Sequence, residues 1–115
     1  MKKIMRPLFH PPQDSITLEG VLHALSDPVR LALFAEIAFA QCAQNCTAFA
    51  RLSDKEIPKS TLSQHFKVLR DAGLIRSERQ GVEMQNLSRC PEVEERFPGL
   101  ISSILTAYKT QATAA

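Results

Sequence analysis

The residues best suited to chemistry in this sequence lie in the segment 58–72, PKSTLSQHFKVLRDA. On a helix, Leu62, Phe66 and Leu69 recur at the i, i+4, i+7 spacing that places them on one buried stripe. The opposite face carries hydrogen-bond donors and no carboxylate, which suits phosphate oxygens and base-edge acceptors. The same pattern is also typical of an amphipathic surface helix whose polar face is only solvated. The donors on this face are Lys59, Ser60, Ser63, Gln64, Lys67 and Arg70.

The residues at both ends of this helix, and the chain that follows it, indicate more than a solvated surface helix. Pro58 suits a first helical position and Gly73 suits a helix end. Residues 74–79 and 82–87 are predicted to be strands joined by a tight turn at Gln80 and Gly81. A helix that leads directly into a basic hairpin is typical of a winged helix-turn-helix.

Two motifs that follow one another along the chain resemble the winged-helix repressors of the ArsR/SmtB type. The first is LHALSDPVRLALF, and the second is STLSQHFKVLRDAGLI with the hairpin after it. The resemblance covers residues 22–87 and, more loosely, the last helix. It implies a mainly α protein with a β-hairpin (α+β), a winged helix-turn-helix in the order α-α-α-α-β-β-α, and a two-fold dimer. Residues 47–52 are predicted to form a short third helix, and the resemblance implies that this helix lies across the DNA backbone. On the returning strand, Gln85 and Asn86 stand where the family usually has aromatic residues.

Length and composition indicate one domain, with an arm at residues 1–14, the winged helix at 15–110 and a tail at 111–115. The formal net charge of +2 is too small to indicate nucleic-acid binding by itself. The positive excess is concentrated in residues 51–89 (net +3) and in the arm (net +2). No apolar run reaches the length of a membrane span, and the N-terminus lacks the apolar stretch of a secretory signal. We therefore expect a cytoplasmic protein with reduced thiols.

The remaining helices follow from periodicity and capping. A first helix is predicted over 15–25, a second from the N-cap Asp27 to about Ala40, and a helical lead-in over 91–96. The arm is either a loose tail or a DNA contact through Lys2, Lys3 and Arg6. The last helix carries an apolar stripe that either pairs with its twin in a dimer or covers the protomer's own core. That stripe is Leu100, Ile101, Ile104, Leu105 and Tyr108.

The winged-helix interpretation assigns roles to the polar residues of the central helix. We expect Ser60, Ser63, Gln64 and His65 to approach base edges, with Gln64 suited to read adenine. His65 has the alternative of facing the domain interior beside Phe66. The residues expected to hold phosphates are Lys59, Thr61, Lys67 and Arg70, with Arg79 at the wing.

Cys42, Cys46 and Cys90 are the candidate sensor residues, because members of the resembled family commonly release DNA when a metal, metalloid or oxidant binds. The family's Cys-x-Cys run and its carboxylate–histidine pairs on the last helix are absent from the sequence. If residues 42–46 are helical, the first two sulfurs lie on one face. Three thiolates suit a thiophilic ion such as As(III), and a disulfide is an alternative. Cysteine is also often a small buried hydrophobic residue.

The leading hypothesis is a dimeric repressor that binds a double-stranded DNA operator, requires no cofactor and is released through its thiols. Activation instead of repression stays open. A winged helix that binds protein instead of DNA is the alternative, since the net charge is small. An enzyme is not expected, because the sequence has no Cys-x-x-Cys pair, no Gly-rich phosphate loop and no convergent acid–histidine set.

Overall fold

The computed structural model describes residues 8–40, the backbone of 44–45, and residues 57–113. The elements are a 3₁₀ turn at Gln13–Ser15, α1 at Leu18–Leu25, α2 at Pro28–Ala40, β1 at Gln44–Asn45, α3 at Lys59–Asp71, β2 at Ile75–Gln80, β3 at Glu83–Ser88, α4 at Cys90–Arg96 and α5 at Leu100–Thr113. The three strands form a sheet in the order β1-β3-β2. Strands β2 and β3 are an antiparallel hairpin, from Ile75 opposite Ser88 to Gln80 opposite Glu83.

The winged helix-turn-helix prediction is confirmed by this arrangement of helices and hairpin. The predicted helical lead-in before the last helix is present as α4. Strand β1 was not predicted, and it adds a third strand by pairing with β3. The helix expected near residues 47–52 lies outside the described residues.

Helix α1 begins later than predicted, because Thr17 caps it. The Thr17 hydroxyl accepts a hydrogen bond from the backbone N–H of Gly20 (3.1 Å), and the preceding Ile16 is extended and buried. The buried residues of α1 are Val21, Ala24 and Leu25. Leu18 and Leu22, although apolar, are 41% and 50% exposed.

The junction of α1 and α2 is fixed by the predicted N-cap. Asp27 Oδ1 accepts from the backbone N–H groups of Val29 (2.8 Å) and Arg30 (3.1 Å), and these bonds, the one from Arg30 above all, hold the pKa of Asp27 below its ordinary value. The Arg30 side chain donates to the carbonyl of Ala24 (2.8 Å), which stabilises the C-terminal end of α1.

The core is centred on the predicted apolar stripe of α3. Leu62, Phe66 and Leu69 are 3% or less exposed and pack against α2 and the first strand of the hairpin. This stripe fixes which face of α3 is buried, and therefore which face is left to solvent. The remaining large core residues are Ile16, Leu33, Phe34, Ile37, Leu74, Ile75, Val93 and Ile101.

Each hairpin strand lies one residue later than predicted, and the turn consists of Gly81 and Val82.

In the described ranges, no helix has the length and apolar character needed to cross a bilayer.

Candidate nucleic-acid interface

Helix α3 presents its polar face to solvent at the surface next to the hairpin. Its first turn contains no acidic residue, so no carboxylate offsets the positive end of the helix dipole there. Pro58 is the N-cap and not the first helical residue as predicted, since its ψ of 142° is extended. The predicted contact residues that lie exposed on this face are Lys59, Ser60, Thr61, Ser63, Gln64 and Lys67.

Three predicted contact residues of α3 have partners or surroundings that limit their role. Lys67 Nζ lies 2.7 Å from Asp71 Oδ2, an exposed pair that holds the lysine only weakly. His65 is half-buried. Arg70 is half-buried as well, and its Nη1 lies 3.4 Å from the Ser77 hydroxyl of β2. Arg70 is therefore directed towards the wing, and its phosphate contact stays a prediction.

The hairpin forms a wing whose tip is fully in solvent. Gly81 adopts a φ of 64°, a left-handed conformation that a tight turn between strands requires. Val82 beside it is 95% exposed. Arg79, the predicted wing contact, is exposed and pairs in register with Met84. A basic side chain at this position is suited to a phosphate or a minor groove.

The base of the wing is held by buried polar groups where the family resemblance led us to expect aromatic packing. The Ser77 hydroxyl donates to Asn86 Oδ1 across the hairpin (2.7 Å), and Asn86 is fully buried. Such a pair is stable inside a protein because each polar group has a partner. Asn86 therefore replaces an apolar contact with a directed hydrogen bond between the two strands.

The N-terminal arm packs on this wing base, which the sequence did not predict. His10 Nε2 accepts from the backbone N–H of Ser77 (3.0 Å), and Pro11 O accepts from the guanidinium of Arg89 (2.8 Å). Gln13 Nε2 donates to the carbonyl of Glu92 on α4 (2.9 Å). Residues 8–16 are thus part of the folded domain. The proposed arm contacts Lys2, Lys3 and Arg6 lie outside the described residues.

A cleft of ≈ 370 Å³ separates α3 from the wing. Its floor is apolar and its rim carries basic groups from both elements. Leu8 of the arm forms one wall, so the arm, the helix and the wing meet at this surface. The lining residues are Leu8, Lys59, Leu62, Ser63, Phe66, Arg70, Arg79, Val82, Glu83 and Met84.

Comparison with known proteins identifies this arrangement. A helix-turn-helix domain family matches residues 25–78, which include α2, α3 and the start of the wing. An ArsR family transcriptional regulator, RHA00566, superposes with a TM-score of 0.59 at 19% identity, covering 85% of this chain and 97% of that one. The chain shares the winged helix-turn-helix fold of this regulator. No curated protein gives a significant match to the sequence.

Two further solved structures have a fold similar to this one. An ArsR-like transcriptional regulator from Rhodococcus sp. RHA1 has a TM-score of 0.55 at 24% identity, with 83% of this chain and 92% of that chain covered. M. tuberculosis Rv0081 has a TM-score of 0.58 at 22% identity, with 91% and 99% covered. These neighbours and the helix-turn-helix match agree on the fold of the chain.

The predicted dimer residues of the last helix fall into two groups by their burial. Ile101 is 1% exposed and belongs to the protomer's own core, so its assignment to an interface is wrong. Leu100, Ile104, Leu105 and Tyr108 are half-buried and keep part of their surface in solvent. Nearby, Lys109 Nζ lies 4.6 Å from the centre of the Phe39 ring of α2, a ring that is 41% exposed.

The candidate sensor thiols are only partly visible in this ArsR-type fold. Cys42 and Cys46 lie outside the described residues, and the strand Gln44–Asn45 between them does not fit the helical spacing that would align their sulfurs. Cys90 is half-buried, and this burial raises the pKa of its thiol above the ordinary value. Among the residues described, no group of His, Cys, Asp or Glu side chains could hold a metal ion.

Proposed function

We propose that this protein is a dimeric transcriptional repressor that binds a double-stranded DNA operator through α3 and the wing. The observation that carries the proposal is the exposed donor face of α3, free of acidic residues in its first turn, beside the exposed Arg79 of the wing. Donors on a helix that is held rigidly by a buried stripe suit insertion into a major groove.

The contacts divide into those that specify sequence and those that position the protein. Ser60, Ser63 and Gln64 face base edges, with Gln64 placed to bind adenine through its amide. His65 lies at the edge of this set, half-buried, and is assigned to a backbone or base contact. The residues proposed to hold phosphates are Lys59, Thr61, Lys67 and Arg79.

The dimer is supported by apolar surface that the protomer leaves uncovered. Leu18 and Leu22 of α1 are exposed, and Leu100, Ile104, Leu105 and Tyr108 of α5 are half-buried. A dimer that covers these residues would place two copies of α3 about one helical turn of DNA apart. The expected stoichiometry is therefore two protomers for each operator.

The first test compares Gln64→Ala with Lys59→Ala in binding to the operator and to random duplex DNA. Removing Gln64 should weaken operator binding about tenfold and leave random binding nearly unchanged, because it removes a base contact. Removing Lys59 should weaken both and reduce the slope of affinity against salt by about one charge. Fluorescence anisotropy across a salt series measures both effects.

Lys109→Ala is the matched control for the loss of one lysine, since Lys109 lies on α5 against Phe39. It should bind both duplexes as the unmodified protein does. Equal losses on both duplexes for Gln64→Ala would remove Gln64 from the readout. Binding that hardly responds to salt would favour the alternative function, a winged helix that binds protein.

We further propose that the thiols release the repressor from DNA, with Cys42 and Cys46 as the reactive thiols. Burial of Cys90 disfavours its thiolate and supports a packing role for it. Arsenite, as a source of As(III), or a mild oxidant should therefore release the unmodified protein and Cys90→Ser alike, and should not release Cys42→Ser or Cys46→Ser. Loss of release in Cys90→Ser would indicate a three-thiol site, and no release in any variant would make all three packing residues.

A further inference from the structure

We propose that His10, on the N-terminal arm, is a positioning residue for DNA binding that fixes the wing against α3 and makes operator affinity fall in acid. The inference rests on the proposed DNA-binding function, because its readout is operator affinity. It concerns a residue outside α3 and the wing, and it gives the arm a defined role.

His10 supplies the hydrogen-bond acceptor for a backbone N–H group at the edge of the sheet. β2 is the edge strand of the sheet, and the backbone N–H of Ser77 donates to His10 Nε2 at 3.0 Å. Ser77 is only 3% exposed, so without the imidazole this N–H would be buried with no replacement from bulk water. An imidazole nitrogen accepts a hydrogen bond only in the neutral ring.

Ser77 in turn contacts both elements that DNA binding requires to be aligned, the second strand of the wing and helix α3. The Ser77 hydroxyl donates to Asn86 on β3 (2.7 Å), and Arg70 Nη1 of α3 lies 3.4 Å from the same hydroxyl. Two residues before His10, Leu8 lines the cleft between α3 and the wing. The arm therefore contacts the hairpin and closes one wall of the space between the two DNA-binding elements.

The charged groups around His10 oppose its protonation. Arg76 of β2, Arg70 of α3 and Arg89 at the start of α4 all act on it as positive charges, and Arg89 is also paired with Glu92. Burial first, and then these guanidinium groups, lower the pKa of His10 below its ordinary value of 6.5. A proton on Nε2 would remove the acceptor for Ser77 and add a cation to this group.

The sign of the pH effect follows from the lowered pKa. We call the arm docked when His10 accepts its hydrogen bond from Ser77. Well above pH 6.5 the His10 ring is neutral whether the arm is docked or free, so the docked arrangement has its full stability. Below that value the free arm binds a proton more readily than the docked arm does. Docking therefore weakens and is lost as the pH falls through the pKa of the docked ring.

The experiment measures operator affinity from pH 7.5 to 5.5 for the unmodified protein, His10→Gln and His10→Ala. Alanine should weaken binding roughly tenfold at pH 7.5, the size expected when a buried donor loses its acceptor. Glutamine offers an acceptor that does not titrate, so it should restore binding and remove the acid dependence. The ratio of the unmodified Kd to the His10→Gln Kd should rise as the pH falls, and the titration of groups that both proteins share cancels in this ratio.

His23→Gln, on the exposed face of α1, is the matched control and should retain the full acid dependence. A ratio that stays constant with pH, or His10→Ala binding as tightly as the unmodified protein, would overturn the inference. The Ser77 amide resonance of the DNA-free protein should shift as the His10 ring titrates, and an unchanged resonance would also overturn it. A shifting amide in a protein that binds no operator would contradict the proposed function alone.

Discussion

Gly73→Ala is expected to lower the free energy of unfolding by about 3 kcal/mol. Gly73 follows Ala72, the C-cap of α3, and has a φ of 83°, where an L side chain is strained. An added Cβ would lie 2.5 Å from Ile16 Cγ1 and 2.6 Å from Ile16 Cδ1, and Ile16 is 1% exposed. Backbone strain and overpacking therefore add at this position. Urea denaturation followed by circular dichroism measures the loss.

Gly81→Ala at the wing tip is the matched control. Gly81 also has a left-handed φ of 64°, but a Cβ there meets no described atom within 4 Å. It should therefore cost only the backbone strain, about 1 kcal/mol. Equal losses for the two variants would show that contact with Ile16 does not contribute. Since Gly73 joins α3 to β2, a partly folded Gly73→Ala protein should also lose operator binding.

The buried face of α3 was predictable because it depends only on local spacing. Leu62, Phe66 and Leu69 repeat with the period of a helix, and Gly73 marks its end; both features are in the structure. The position of the donor face followed from the same pattern. A long amphipathic helix with a marked end leaves little freedom in which residues are exposed.

The arm could not be predicted, because its contacts join residues far apart in sequence. His10 and Ser77 are separated by 67 positions, and Pro11 and Arg89 by 78. Prolines in the arm indicated only that it is not helical. The signal available in the sequence was weak: a polar pair, Ser77 and Asn86, stands where apolar strand residues would be usual, so a buried polar partner was needed.

Charge counting along the sequence also could not separate arginines that face DNA from arginines that hold the fold. Arg79 and Arg89 both contribute to the positive excess of residues 51–89. In the structure Arg79 is exposed on the wing, whereas Arg89 is 4% exposed. Burial of a guanidinium requires matched acceptors, and these come from distant parts of the chain.

Arg89→Met is therefore expected to lower the free energy of unfolding by about 2 kcal/mol. The guanidinium donates to Pro11 O (2.8 Å) and to both carboxylate oxygens of Glu92 (3.1 and 2.6 Å), so its loss leaves a buried carbonyl unsatisfied and frees the arm. Methionine fills much of the volume without replacing these bonds. The magnitude stays moderate because the Glu92 side chain is 38% exposed and can be solvated.

The pH dependence of stability distinguishes the Arg89–Glu92 ion pair from simple packing. Arg79→Met is the control variant. Hydrogen bonding from Arg89, and then its charge, lower the pKa of Glu92 below the ordinary 4.5, so the pair stabilises the fold above that pH and is lost as the pH falls through the folded-state pKa. The stability difference between the unmodified protein and Arg89→Met should shrink below pH 4.5. Arg79→Met should stay within about 0.5 kcal/mol of the unmodified protein while it weakens DNA binding. If both variants were equally stable, Arg89 would act at the surface as Arg79 does, and the arm would be held by His10 and Ile16 without it.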